Sequence, residues 1–474
     1  MKRSLSIVIM LSLVALLSGC IVTKTPNTND VTIPAGAQVT FSVLVFPPTA
    51  TFAWTLDGAP LSNTGNSYVY TAQGGGHFLI VRATHVFGTD TQAWYINSPV
   101  ITFNKTYGGS SQDMVHAMQR TSDGGYILAG STESFGAGGA DAWLIKTDAN
   151  GIKVWDKTFG GSSSDWASAV QQTSDGGYIL AGSTESFGAG GDDAWLIKTD
   201  ANGIKVWDKT FGGSNSDCAF TMQRTSDGGY ILAGTFVVGG YPEEDAWLIK
   251  TDANGIKVWD KTFAGSGEDE AYAVQQTSDG GYILAGTSTV GGDPEQDAWL
   301  IKTNVNGNEV WETTFGVVGS GSDWARAVQQ TSDGGYILAG WTDSFGAGAN
   351  DAWLIKTDAN GIKVWDKTFG GSNSDCAFTM QRTSDGGYIL AGSTDSFGAG
   401  GADAWLIKTD ANGIKVWDKT FGGSSSDWAR AVQQTSDGGY ILAGSTWSFG
   451  AGHGDAWLIK TDAEGNAPPT PTPG

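Results

Sequence analysis

The chain has 474 residues, with 27 basic against 49 acidic side chains and a formal net charge of −22. Such a surface repels nucleic-acid phosphates and anionic lipid headgroups, and it favours solubility, cations and basic partners. Only three cysteines occur in this length, too few for a disulfide scaffold, so stability has to come from packing, which a chain of this size readily supplies.

The first twenty residues read as an export signal. Lys2 and Arg3 form a positive start, and the apolar run from Leu5 to Leu17 is too short for a comfortable membrane span. It ends in Leu17-Ser18-Gly19-Cys20. This resembles the lipobox of prokaryotic lipoproteins. The resemblance implies that residues 1–20 are a lipoprotein signal peptide, that the Cys20 thiol carries a diacylglycerol (palmitate-type) anchor, and that the protein sits in the cell envelope, lipid-anchored and extracytoplasmic. Acyl chains contribute roughly 0.8 kcal/mol per buried methylene, so two or three of them hold a protein on a membrane for long times. Without Lys2 and Arg3 the basic residues fall to 25 against 49 acidic ones, a net charge of −24. Cys218 and Cys376 occupy equivalent positions in two repeats three units apart. A disulfide needs Cα atoms within about 7 Å, so they are expected to stay unpaired.

Residues 21–30 read as a short polar tether. Residues 31–98 alternate apolar and polar positions in short runs around Phe41, Trp54 and Leu79, separated by turn residues at Asp57-Gly58 and Gly74-Gly75-Gly76. Several half-buried strands in so short a segment predict a small β-sandwich with Trp54 in its core. The Trp54-Thr55-Leu56-Asp57-Gly58 stretch and the run from Gly76 to Val81 resemble the polycystic-kidney-disease-type and immunoglobulin-like modules of surface proteins. That resemblance implies a spacer, with carbohydrate binding as the alternative.

A single sentence then repeats seven times. The phrase D-G-G-Y-I-L-A-G begins at Asp123, Asp175, Asp227, Asp279, Asp333, Asp385 and Asp437, at a spacing of 52 residues with one step of 54. In the second copy, residues 167–172 predict a strand, Asp175-Gly176-Gly177 a turn, residues 178–182 a second strand, residues 194–198 a third, Asp200-Ala201-Asn202-Gly203 a second hairpin turn, and residues 204–211 a fourth strand. Four antiparallel strands joined by hairpins make one propeller blade. The last copy stops after its third strand. The segment before the first copy, Ile101 to Tyr107, carries the fourth-strand pattern V-W-D-K-T-F, with Phe103 in the Trp place. The N-terminal strand is therefore expected to complete the blade begun at the C-terminus, giving a closed all-β seven-bladed β-propeller over residues 99–466 with no orphan strand. Thirteen Trp residues at repeat spacing (among them Trp143 and Trp195 in third strands, Trp155 and Trp207 in fourth strands) are expected to pack between blades rather than to bind sugar.

Through D-G-G-Y-I-L-A-G, D-A-W-L-I-K-T-D and W-D-K-T-F-G-G this region resembles the seven-bladed β-propeller repeat proteins of bacterial and archaeal cell surfaces. The resemblance implies a fold and hardly any function. A likeness of I-K-T-D-A-N-G-I-K-V-W to the repeat of quinoprotein dehydrogenases comes from a shared turn. Residues 467–474, Ala-Pro-Pro-Thr-Pro-Thr-Pro-Gly, are a Pro/Thr-rich tail.

Strand direction puts the nearly constant S-D-G-G and D-A-N-G turns on one face of the ring and the loops that vary between copies on the other, which makes the variable face the candidate binding surface. Two features mark it. One is an acidic group in the third and fourth copies: Glu243, Glu244, Asp245, Glu268, Asp269, Glu270, Asp293 and Glu295. It could hold Ca²⁺ or meet a basic partner, although it lacks calcium-loop spacing. The other is a set of aromatic and basic residues just after a recurring loop Asp: Trp166, Trp324 and Trp428, and two positions on His116, Tyr272, Arg326 and Arg430. Rings and guanidinium groups around a channel mouth suit a carbohydrate or peptide, while the same rings could equally pack between blades. The Asp residues that recur in every copy, such as Asp165, Asp193 and Asp200, are expected to serve turns and backbone hydrogen bonds. There is no H-E-x-x-H, no P-loop and no nucleophile elbow, and no cofactor or metal is assigned.

These observations point to a non-catalytic, lipid-anchored extracytoplasmic binding or scaffold protein, a monomeric ring whose variable face takes a polysaccharide or a protein and no nucleic acid. A polysaccharide hydrolase or lyase using carboxylates such as Glu268 and Glu270, and a structural surface-coat component, stay open as alternatives. Closure of the ring by residues 99–107 predicts that their deletion destabilises the entire repeat region; an unchanged melting temperature would contradict it.

Overall fold

The computed structural model describes residues 20–27, 29–32, 38–46, 50–71, 75–85, 88–98, 101–237, 244–264, 267–289, 295–317 and 319–469, and no helix occurs among them. The segment preceding Cys20 and the end of the Pro/Thr tail lie outside the described residues. The chain divides into two units, Met1–Val100 and Ile101–Gly474.

The N-terminal unit holds a three-stranded sheet, ordered Cys20–Thr25, Gln38–Phe46, Ser67–Thr71, and a five-stranded sheet, ordered Asp30–Thr32, Gly88–Ser98, Gly75–His85, Thr51–Leu56, Ala59–Pro60. Alternation along the strands sends Phe41, Val43 and Tyr70 of the first sheet and Trp54, Leu79, Val81, Ala83 and Trp94 of the second into one core. The Trp54 indole NH also donates to the Gly65 carbonyl at 2.7 Å. Asp57 and Gly58 both have positive φ, 50° and 85°, and close a two-residue hairpin that pairs Leu56 with Ala59. The expected tether between residues 21 and 30 is corrected here. Cys20–Thr25 is a strand antiparallel to Gln38–Phe46, and Asp30–Thr32 runs parallel to Gly88–Ser98. The run Ile21-Val22-Thr23 is β-branched, and pairing it covers an edge that would otherwise be open.

Among its described residues the second unit holds seven four-stranded antiparallel sheets, repeated in the manner of a β-propeller. In the second sheet the strands are Asp165–Gln172, Tyr178–Thr184, Asp193–Thr199 and Lys205–Phe211, in that spatial order. The D-G-G and D-A-N-G turns join them as their residues demand. Asp200 Oδ1 accepts from the amides of Asn202 (2.8 Å) and Ile204 (2.9 Å). Gly203 takes φ 76°, a conformation that glycine adopts at little cost. The seventh sheet is ordered Asp427–Gln434, Tyr440–Thr446, Asp455–Thr461, Phe103–Tyr107, so its outer strand comes from the other end of the repeat array. Phe103 lies opposite Lys460 as Trp207 lies opposite Lys198, the register the pattern implies. The Trp457 indole NH donates to Asn104, in the place where Trp195 donates to Asp208 at 3.1 Å.

The runs Y-I-L-A and A-W-L-I are apolar throughout because each sheet buries both faces. In the first sheet Ile127, Ala129 and Leu144 pack with Ala167, Tyr178 and Trp195 of the second. Its opposite face, with Val115, Tyr126, Leu128 and Trp143, packs with Ile441, Ala443 and Leu458 of the seventh. Seven such clusters occur among the described residues, one for each neighbouring pair of sheets, the last and first included. The outer-strand aromatic of each sheet lies edge-on to the Tyr of the next. Trp155 and Tyr178 are 5.8 Å apart, and Phe103 of the seventh sheet repeats the contact with Tyr126 of the first at 6.2 Å.

Polar links follow the same cycle. The side-chain oxygen of Gln119 accepts from the Gln172 amide of the next sheet at 2.5 Å, and Gln171 from the Arg224 amide at 2.8 Å. The series continues through Gln223, Gln275, Gln329 and Gln381, and Gln433 of the seventh sheet accepts from the Arg120 amide of the first at 2.9 Å. Each link satisfies a backbone NH that no strand neighbour reaches. At the outer ends, Lys198 is buried and spans to Asp175 at 2.9 Å and to the Thr199 carbonyl at 2.7 Å, an arrangement repeated from copy to copy.

The Gly151 turn tests the closing strand. Gly124 and Gly151 of the first sheet both have positive φ, 88° and 70°. A Cβ on Gly124 would meet open space, whereas one on Gly151 would lie 2.6 Å from the Phe103 ring. Both Ala substitutions therefore carry a backbone cost of about 1–2 kcal/mol. Gly151→Ala is expected to lose about 1–3 kcal/mol more through overpacking. Equal losses in denaturant titrations would contradict the placement of Phe103.

Candidate functional site

The first strand of every sheet begins at or just after a buried Asp, and the side chains that follow decide what the inner surface of the repeat region offers. The repeated Asp is fully engaged. Asp165 accepts from the Thr184 hydroxyl, from Ser186 Oγ at 2.7 Å and from the Gly161 amide at 2.9 Å. Asp323 and Asp427 do the same with Thr342 and Ser344, and with Thr446 and Ser448. Asp193 accepts from the Ala189 amide at 2.8 Å. These residues fasten loops.

Beyond that Asp the strand alternates between buried and half-buried positions until a bulge interrupts it. In the second sheet the register shifts between Ala167 and Ala169, leaving Ser168 as the extra residue. All seven first strands carry this shift. A bulge turns the extra side chain out of the ladder and leaves it available. Two rows result, both half-buried. One holds Met114, Trp166, Cys218, Glu270, Trp324, Cys376 and Trp428. The other holds His116, Ser168, Phe220, Tyr272, Arg326, Phe378 and Arg430. First strands pack against first strands around the array, so the rows run from sheet to sheet.

Across sheets three to six the rings form a continuous file. Phe220 and Tyr272 stack at 5.2 Å, Tyr272 and Trp324 at 5.4 Å, and Trp324 and Trp341 at 5.0 Å; Phe378 meets Trp341 edge-on at 5.9 Å. The Arg326 guanidinium carbon lies 3.8 Å from the Tyr272 ring centre and 5.5 Å from that of Trp341. The Arg430 guanidinium carbon lies 5.1 Å from Trp428 and 5.3 Å from Phe378, and Trp428 meets Trp447 at 4.9 Å.

The acidic group adjoins this file through one bond, from the Tyr272 hydroxyl to Glu270. Burial raises the Glu270 pKa and the Glu268 charge adds to that, against the Tyr272 hydrogen bond and Arg326, which pull it down. Glu244 is also raised, first by burial and then by Glu270 and Glu268. At the other end burial, then Arg430, push His116 down to about 4, while its contact with the Ala167 carbonyl at 3.3 Å opposes them. Burial and Arg326 lower Arg430 to about 10. Cys218 and Cys376 are free thiols, raised by burial to about 12 and about 11.

The expected site is thus brought together in part. Glu270, Tyr272, Trp324, Arg326, Trp428, Arg430 and His116 belong to one belt, and Glu244 and Glu268 are near enough to Glu270 for their charges to interact. Trp324 and Trp428 sit in the first strands, paired with Trp341 and Ser445, rather than in the loops before them, while Tyr272, Arg326 and Arg430 are the extra residues at the bulges. Trp166 shares the row, opposite Ser183. Glu295 is placed elsewhere, accepting from the Gly321 amide at 2.6 Å. Glu243 and Asp293 lie outside the described residues. The inter-blade role of the rings holds for Tyr272 and Trp324, which stack across two sheets. Sequence reasoning missed Phe220, Phe378, Trp341 and Trp447. The last two were marked by departure from the repeat, since Trp341 replaces the Ser found at positions 131 and 183, and Trp447 an acidic residue. No group of three or more His, Cys, Asp or Glu able to hold a metal occurs among the described residues.

No protein-family profile matches the chain, and no curated protein matches it in sequence. Among solved structures it is similar to a quinonprotein alcohol dehydrogenase-like protein of Bacteroides thetaiotaomicron (10% identity, 83% of this chain and 94% of that one, TM-score 0.37). It is similar to the Neurospora crassa Pan2 WD40 domain (10% identity, 75% and 90%, TM-score 0.46) and to Sqt1 of Chaetomium thermophilum (15% identity, 72% and 83%, TM-score 0.42). Likenesses of this order carry nothing about activity.

Tyr272 and Glu270 yield a titration test. Tyr272→Phe removes a donor to the ionised carboxylate, so the Glu270 pKa is expected to rise. Carboxyl NMR of the Glu-labelled protein reads it; an unchanged or lower value would show that the bond does not exist in solution.

Proposed function

We propose that this is a lipid-anchored, extracytoplasmic, non-catalytic binding protein. In this reading its repeat region is a closed seven-bladed β-propeller, and its N-terminal unit is an immunoglobulin-like or PKD-type sandwich. The inner belt binds a polysaccharide or protein partner. The observation that carries this reading is the distribution of differences within the chain. Copies 193–234 and 351–392 are identical over their whole length, and turns, sheet cores and fastening Asp residues recur throughout. Yet the second inner row reads His, Ser, Phe, Tyr, Arg, Phe, Arg. A purely structural position in a repeat has the same neighbours seven times and tolerates the same residue seven times. A row that differs at almost every sheet suits one unsymmetrical ligand, and its half-buried rings and charges are the side chains that carry binding energy at interfaces. Cyclic packing of the seven sheets and the pairing of Phe103–Tyr107 with Asp455–Thr461 support the closed ring. A two-sheet core supports the sandwich. The lipobox supports the anchor and the compartment.

A polysaccharide hydrolase or lyase is the second reading, favoured by one observation: Glu270 is a carboxyl of raised pKa beside Glu244 and Glu268, and general acids are tuned in this way. Glycan turnover abolished by Glu270→Gln would decide for it.

A glycan array and an affinity pull-down from envelope extracts are expected to yield a ligand that Trp324→Ala weakens at least tenfold. Blanks in both, or a ligand indifferent to Trp324, contradict the binding reading. Mass spectrometry of the protein recovered from membranes is expected to show a diacylglyceryl-modified Cys20, and Cys20→Ser to move it into the soluble fraction; unmodified, membrane-bound protein would contradict the anchor.

A further inference from the structure

The chain has 22 more acidic than basic residues, yet among the described residues Arg430 has no acidic partner. Among the described residues its guanidinium makes no ion pair and no hydrogen bond, and its Nε is buried without a partner. The rings beside it are those of Phe378 and Trp428, whose centres lie 5.3 and 5.1 Å from the guanidinium carbon. A charge withdrawn from water and left unpaired is costly, and ring contacts return only part of that cost, roughly 0.5–2 kcal/mol each. Packing alone would be served by an apolar side chain, and the equivalent positions 220 and 378 hold Phe. Arg326 differs. The Tyr272 ring lies 3.8 Å from its guanidinium carbon, and the Glu270 charge favours its ionised form. Its guanidinium is compensated, while that of Arg430 is not.

The two guanidinium groups belong to the fifth and seventh sheets, with Phe378 and Trp341 of the intervening surface between them. Arg430, Phe378 and Trp428 all stay half-buried, so the group is reachable from solvent. The Arg430 guanidinium has no hydrogen-bond partner among the described residues, and the edge of a planar guanidinium is a fork of parallel donors matched to a carboxylate.

Resting on the binding reading above, we infer that Arg430 is the anchor of a subsite for a uronate-type sugar: its guanidinium edge takes the ring carboxylate, and Trp428 receives the apolar face of the pyranose. Burial of that face against an indole is ordinary apolar burial. The carboxylate supplies the charge that the protein omits. His116, on the neighbouring first sheet, is near enough to feel the Arg430 charge and lies on the same row. Glu270, the acidic member of the two rows, is on the fourth sheet and bonded to Tyr272, and among the described residues no carboxylate pairs with Arg430.

The experiment titrates the purified protein with D-glucuronate and D-galacturonate, and in parallel with glucose and galactose, following tryptophan fluorescence and saturation-transfer NMR of the sugar protons. The expected result is saturable binding of at least one uronate, with the neutral sugar of the same ring at least tenfold weaker. Arg430→Met is expected to weaken the uronate at least tenfold and to leave the neutral sugar unchanged. Four results would overturn the inference. If neutral sugars bind as well as uronates, the binding reading survives and this subsite does not. Undiminished uronate binding by folded Arg430→Met removes Arg430 from it. Absence of uronate binding in the unmodified protein removes the subsite without reference to any variant. A glutamate-rich peptide that binds through Arg430 where uronates do not would make the site one for an acidic peptide. The comparison of charged with neutral sugar in the unmodified protein stands even if Arg430→Met fails to fold.

Discussion

Every repeated sheet in this protein is apolar on both faces, and everything else follows from that. A sheet with one wet face can end an array; a sheet with two dry faces needs a neighbour on each side. Seven such sheets have seven packing interfaces among the described residues, and the seventh joins the last sheet to the first. The N-terminal strand belongs to the same requirement. Without Phe103–Tyr107 the Trp457 indole would lose its acceptor and the Tyr126 ring its edge-on partner. The Gln links run the same way round and reach from Gln433 back to Arg120.

This division of labour explains why so much of the chain is silent about function. The most abundant polar residue types in the repeat are absorbed by the frame. Asp at each strand start ties a loop, Asp in each D-G-G turn pairs a buried Lys, and Asp in each D-A-N-G turn caps a hairpin. An acidic, glycine-rich sequence of this kind resembles a metal-binding one until each carboxylate is accounted for. What remains is the two rows of first-strand side chains, one at the bulge and one two residues before it. There the copies diverge, and there the rings, the guanidinium groups and Glu270 meet.

The fold was legible in the sequence because it is written seven times. Turn residues placed the strands to within two residues of where they lie, and the surplus strand at one end matched the deficit at the other. The site was legible only in part. Arg326, Arg430, Tyr272 and Trp324 were found by their departure from the repeat, but Trp324 was left in the loop before the strand, and the bulge that holds the other three was not foreseen, since a one-residue register shift leaves no signature beyond ordinary alternation. Phe220 and Phe378 were missed because an apolar residue in an apolar repeat draws no notice. The contact between Glu270 and Tyr272 joins two features that looked separate, and it depends on side-chain direction, which spacing alone does not give. Cys20–Thr25 read as tether because its partner strand lies some twenty residues further on.

The cyclic packing depends on Phe103–Tyr107 being the outer strand of the last sheet. Hydrogen exchange read by mass spectrometry addresses this directly, because the peptide covering residues 101–107 has a unique sequence. Its amides are expected to exchange as slowly as those of the repeated K-V-W-D-K-T-F strands, with protection lost only when the whole repeat region unfolds. Exchange at the rate of an unstructured chain, while the other outer strands stay protected, would contradict it.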